Sequence, residues 1–134
     1  MPEPARLPIF WIVIGAINGF CAVAAGAFGA HGLRATVPPE QLAWFELAAR
    51  YQIIHALAIV AVGLLGRSVT RSVAVSCAGW LFLVGIVLFS GSLYSMGLTG
   101  VRWLGAVTPF GGVALLLGWA ALAWAGSAVS RRHA

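Results

Sequence analysis

The stretch "IFWIVIGAINGFCAVAAGAFGA", residues 9–30, runs for 22 residues without a charged side chain. At 1.5 Å of rise per residue, a helix of that length is roughly 33 Å long, about the thickness of a bilayer's hydrocarbon core. A helix satisfies its own backbone hydrogen bonds, so such a run reads as a span whose side chains face lipid. Composition agrees. Of 134 residues, 61% are hydrophobic and 8% charged, with a mean hydropathy of +0.98. Eight basic and three acidic side chains are too few to cover a water-soluble domain of this size.

Three more apolar runs follow. "YQIIHALAIVAVGLLG", residues 51–66, is short by itself, but "PPEQLAWFELAAR" precedes it. Pro39 suits a helix start, Glu40 suits a first turn, and Glu46 and Arg50 stand i,i+4. One helix over about 40–66 is predicted, its first turns at the membrane surface. The third run covers 72–98 and the fourth ends near 129. In "TPFGG", Thr108 as an N-cap and Pro109 at the first helical position start the last helix at 108. A start near Arg102 with a kink at Pro109 is the alternative; 108–129 is already long enough to span. The expected fold is all-α, an integral membrane bundle of four transmembrane helices (about 9–30, 40–66, 72–98 and 108–129). These form one domain over 1–134, with a longer loop around 31–39.

An even number of spans puts both termini on one side. That side carries Arg6, Arg67, Arg71, Arg131 and Arg132; the other carries Arg34, Arg50 and Arg102. The positive-inside bias predicts cytoplasmic termini in a multi-pass membrane protein. Residues 1–24 also read as a signal peptide with "AVA" at 22–24, but the apolar stretch outruns a signal core of about 7–15 residues, so the span is expected to stay. A pI near 10.7 raises nucleic acid as a partner. The arginines form no basic stripe to follow phosphates, so none is expected. Cys21 and Cys77, inside apolar runs and without a CxxC, read as small buried hydrophobes.

Gly15, Gly19, Gly26 and Gly29 or Ala30 recur with Ala22 at three- and four-residue steps, a smooth stripe for a neighbouring helix. Gly91, Gly111 and Gly112 are further candidate packing positions. Polar residues within the spans need partners. Asn18 and His55 both fall near the midplane, roughly 14 Å and 18 Å up their helices, so they are expected to bond to each other, or His55 to Tyr51. Tyr51, Ser90, Ser92 and Tyr94 stand higher, in the outer half. Together with His31 they make a candidate ligand-binding or structural polar cluster. His31, in "GAFGAHGL", is read as a cap on the last carbonyls of the first helix. Glu46 and Arg50 are expected to form an interfacial ion pair, with recognition of a headgroup or partner as the alternative.

Chemistry-bearing patterns are missing from the sequence. No HxxxH or HExxH accompanies His31 and His55, which stand at different depths, so no metal site and no cofactor are expected. Paired carboxylates and a nucleophile–base spacing are also missing, and "GGVALLLG" lacks the lysine and hydroxyl residue of a phosphate loop. No catalytic residues are assigned and an enzyme is not expected.

"GAFGAHGL", "YQIIHALAI", "FSGSLY" and "TPFGGVALLLGW" together resemble the YgdD/YwdK-type family of small bacterial inner-membrane proteins, over roughly residues 9–126. The resemblance implies a four-span membrane protein and supplies no reaction or substrate. By resemblance, the family's motif positions fall on Gly26, Gly29, His31, Tyr51, His55, Ser90, Gly91, Ser92, Tyr94, Pro109, Gly111 and Gly112. Two functions are carried forward. One is a packing or accessory subunit, in contact with lipids and forming a homo-oligomer or part of a larger membrane complex. The other is a transporter or channel for a proton or small polar solute, using Asn18, Tyr51, His55 and the Ser90–Ser92 region.

Overall fold

Local sequence signals set where each helix starts and stops. The computed structural model describes residues 6–69 and 72–130. The first helix, α1, is Arg6–Phe28, and it continues into a π-helical turn, Gly29–Leu33. The Phe28 ring folds back over Gly32, where a Cβ would lie 2.7 Å from Phe28 Cε2. A bare glycine leaves room for the ring there. Pro38 then adopts φ −58°, ψ 150°, the extended conformation that a following proline imposes. Pro39 opens α2, Pro39–Gly66, with Glu40 in its first turn. Ser72 caps α3, Val73–Thr99, by accepting a bond from the Val75 N–H at 3.4 Å. Gly100 ends that helix at φ 71°, its N–H bonded to the Met96 carbonyl at 2.8 Å. A 3-10 turn, Arg102–Ala106, leads into α4, Thr108–Ser130. The last helix therefore starts at 108 with Pro109 in its first turn, as the preferred sequence reading has it. Thr108, however, is its first helical residue, and the Val107 carbonyl, which accepts from the Phe110 N–H, stands at the N-cap instead.

Four helical segments are long and apolar enough to cross a membrane: Arg6–Leu33, Pro39–Gly66, Val73–Thr99 and Arg102–Ala128. All elements of the described residues are helical. Of the arginines behind the charge bias, Arg71, Arg131 and Arg132 lie outside the described residues.

In lipid, apolar faces gain nothing by leaving water, so association rests on close packing and hydrogen bonds between helices. Packing here is serial: α1 lies on α2, α2 on α3 and α3 on α4. The central pair is the most buried, while α1 and α4 present broad apolar outer faces. The larger core cluster joins Trp11, Ile59, Val62, Phe82 and Leu115, in the half of the molecule nearer the termini. Near the other end a smaller cluster holds Ala48, Leu93 and Met96.

Glycines set the helix spacing, though not all the expected ones. A Cβ at Gly15 would lie 2.9 Å from the Ala56 carbonyl oxygen, and one at Gly63 would lie 2.8 Å from that of Pro8, so α1 and α2 touch backbone to backbone. Gly29 gives way to Phe45, and Gly111 lets α4 rest on the Phe89 backbone of α3. Gly19 and Gly112 make only ordinary contacts. Gly26 and Gly91, expected as packing positions, have no atom within 4 Å of a built Cβ. Gly79 was not singled out, yet it lies under the indole of Trp11, a side chain 1% exposed. Cys21 and Cys77 differ from expectation as well. Both are free and exposed on the outer faces of α1 and α3.

Candidate functional site

Between the two apolar clusters the helices meet through polar side chains. Gln52 and His55 sit one turn apart on the buried face of α2. The Tyr94 hydroxyl of α3 donates to Gln52 Oε1 at 2.7 Å. Gln52 Nε2 donates to Asn18 Oδ1 of α1 at 3.2 Å. Asn18 Nδ2 in turn donates to the Ile14 carbonyl at 3.0 Å. That carbonyl can only accept, so it fixes the Asn18 amide with its nitrogen toward Ile14 and its oxygen toward Gln52. The orientation then passes to Gln52 and on to Tyr94. One chain of three hydrogen bonds thus ties α1, α2 and α3 together.

His55 belongs to a second connection. Its Nδ1 lies 2.7 Å from the Tyr51 carbonyl, one turn earlier, and the Trp119 indole N–H of α4 donates to its Nε2 at 3.1 Å. A carbonyl only accepts and an indole N–H only donates, so the ring is the neutral tautomer with its proton on Nδ1. The ring sits among aromatics, with centroids 5.8 Å from Tyr51, 5.8 Å from Phe82 and 6.0 Å from Trp119. Tyr51 stacks on Phe89 at 4.3 Å.

The serines complete the layer. Ser90, 1% exposed, donates across to the Ala48 carbonyl of α2 at 2.9 Å. Ser92 bonds to the Phe89 carbonyl at 2.9 Å and shares a 2.7 Å bond with the Thr108 hydroxyl of α4. Thr108 thus uses its side chain to hold α4 on α3. Among buried side-chain polar atoms of the described residues, Trp11 Nε1 alone lacks a partner.

Several expectations change. Asn18 pairs with Gln52, not with His55, because the two amides face each other across the α1–α2 contact while the imidazole turns to α4. His31 is exposed in the π-helical turn and caps nothing. The Thr36 hydroxyl bonds to the Gly32 and Leu33 carbonyls instead, at 3.3 and 3.1 Å. Glu46 and Arg50 form no ion pair. The ion pair among the described residues joins Arg102 to Glu40 at 2.6 Å, with the Arg102 guanidinium 5.8 Å from the Trp44 ring centroid. It fastens the α3–α4 connection to the first turn of α2.

Sequence reasoning missed Gln52, Trp119 and Thr108 as members of this layer. The signal for Gln52 was present: an amide inside the apolar run "YQIIHALAI" needs a partner in lipid as much as a histidine does. Trp119 gave no such signal, since tryptophans are common in spans for packing and anchoring.

Residues 25–112 match the family model described as "Protein of unknown function (DUF423)". A UPF0382 membrane protein of Staphylococcus epidermidis is 48% identical over 112 residues, 84% of this chain and 90% of the relative. The UPF0382 membrane protein YwdK of Bacillus subtilis is 45% identical over 109 residues, 81% of this chain and 89% of that protein. A counterpart in Staphylococcus saprophyticus is 47% identical over 109 residues, 81% of this chain and 89% of its own. No solved structure matches the chain significantly. With four membrane-length helices and relatives matched along most of their length, this chain belongs to the DUF423 (UPF0382) family of membrane proteins.

Proposed function

We propose that this protein is a packing or accessory component of the bacterial inner membrane, acting as a homo-oligomer or as a small subunit of a larger complex, and that it is not an enzyme. The observation that carries this reading is the state of the polar layer. Asn18, Gln52, His55, Ser90, Ser92 and Tyr94 are all committed to hydrogen bonds within the chain. Such a layer locks helices together and leaves few groups for a substrate. The outward faces of α1 and α4 carry large apolar side chains, Phe20 at 76% and Leu116 at 71% exposure among them. Lipid and other membrane helices are the partners such faces fit. The arginine bias supports cytoplasmic termini.

The test is purification from native membranes in mild detergent, with the mass read against the 14.0 kDa protomer. A multiple of that mass, or co-purification of another membrane chain in fixed ratio, is expected. A lone monomer at every detergent concentration overturns the proposal.

A transporter of a proton or small polar solute is the second reading, favoured by the imidazole of His55, a titratable side chain buried at 5% exposure in the polar layer. The adjoining chain from Tyr94 through Gln52 to Asn18 includes two amides, which do not titrate near neutral pH, so it is no proton wire. Solute or proton flux in liposomes that disappears on His55→Ala establishes this reading instead.

A further inference from the structure

An open groove of about 360 Å³ runs between α1 and α2 in the half of the molecule nearer the 34–38 loop. Ala22, Val23 and Gly26 line it from α1; Glu46, Arg50 and Ile53 line it from α2. The helices are antiparallel, and their contacts fix the depth scale. Gly29 meets Phe45 and the Glu46 stem, Gly19 meets Ile53, and Gly15 meets Val60. From the loop end inward the groove therefore presents Glu46, then Arg50 about 6 Å deeper, then an apolar floor at Val23 and Ile53. Neither Glu46 nor Arg50 has a hydrogen bond or ion pair, and nothing lies within 4 Å of a Cβ built on Gly26. A carboxylate and a guanidinium one turn apart, both lining an open groove, are each left without a partner.

We propose that this groove binds a phospholipid whose headgroup carries a primary ammonium, a phosphatidylethanolamine. The order of charges along the groove matches the order along that lipid. Acyl chains lie deepest, against Val23 and Ile53; the phosphate comes next, at the Arg50 guanidinium, which recognises phosphate oxygens through a planar fork of donors. The ammonium stands outermost, at the Glu46 carboxylate, and supplies three N–H donors to it. A choline headgroup has no N–H to give and is held elsewhere in proteins by aromatic cages, which these lining residues do not provide. A glycerol headgroup has no cation for Glu46. This site goes beyond the accessory role and does not depend on it.

The full chain in mild detergent, titrated with phosphatidylethanolamine, phosphatidylcholine or phosphatidylglycerol and read by native mass spectrometry, tests the proposal. About tenfold tighter retention of the ethanolamine lipid is expected, the worth of one charge-assisted hydrogen bond. Glu46→Gln removes that preference over phosphatidylcholine, and Arg50→Gln weakens all three lipids alike. The inverted pair, Glu46→Arg with Arg50→Glu, keeps the net charge but reverses its order, and it loses the preference. Gly26→Leu fills the groove without touching either charge, and it lowers retention of every lipid. Melting in lipid-free detergent identifies any variant that fails to fold, in which case the remaining variants decide. No preference in the natural chain, an unchanged preference in the inverted pair, or a second protein chain occupying the groove overturns the assignment. The oligomer measurement above can fail without affecting any of these outcomes.

Discussion

Replacing Gln52 by leucine removes both the acceptor for the Tyr94 hydroxyl, at 2.7 Å, and the donor to Asn18 Oδ1, at 3.2 Å. Leucine matches the bulk of the amide side chain well enough to leave no large void, so the loss is chiefly polar. Hydrogen bonds between helices inside bilayers average about 0.6 kcal/mol and reach about 1.7 kcal/mol. Two of them, made by a side chain that is 9% exposed, set a cost of about 1–3 kcal/mol for Gln52→Leu. Tyr94→Phe breaks one bond and keeps the ring against Phe45, so it costs about 0.6–1.7 kcal/mol. The double variant costs less than the two singles together, because the Tyr94–Gln52 bond is lost only once. Reversible unfolding in mixed micelles, followed by helical circular dichroism over an added denaturing detergent, measures all three. A double variant equal to the sum of the singles, or a Gln52→Leu protein as stable as the natural chain, refutes the three-helix hydrogen-bond chain as a source of stability.

Other outcomes follow from the same geometry and the same assay. Gly111→Ala drives a methyl into the Phe89 backbone and destabilises by about 1–3 kcal/mol, whereas Gly91→Ala, with open space around it, stays within about 1 kcal/mol of the natural chain on the stabilising side. His31→Ala changes stability by less than about 0.5 kcal/mol, since the exposed ring bonds to nothing. Trp119→Phe keeps an aromatic beside Phe82 but removes the donor to His55 Nε2, and it costs about 0.6–1.7 kcal/mol. Arg102→Ala breaks an ion pair whose side chains are 73% and 54% exposed; it costs at most about 1 kcal/mol, and high salt shrinks the difference.

The four helices and most of their ends were legible in the sequence, because in lipid a backbone has few options. Every N–H and C=O inside the hydrocarbon must find a partner along its own helix, so an uncharged run of sufficient length already specifies the element. Pro38–Pro39, Ser72, Gly100 and Pro109 then mark the boundaries through local backbone preferences that need no tertiary contact. Which face of each helix turns inward was decided only by the fold. A soluble helix marks its core side by contrast with a polar face, but a helix that is apolar all round carries no such mark. The sequence could not separate Gly26, which opens onto a groove, from Gly79, which receives an indole, nor tell that Asn18 faces Gln52 while His55 turns to Trp119. Those choices depend on the rotation of each helix about its own axis, and that rotation is fixed by steric fit between neighbours that are distant along the chain.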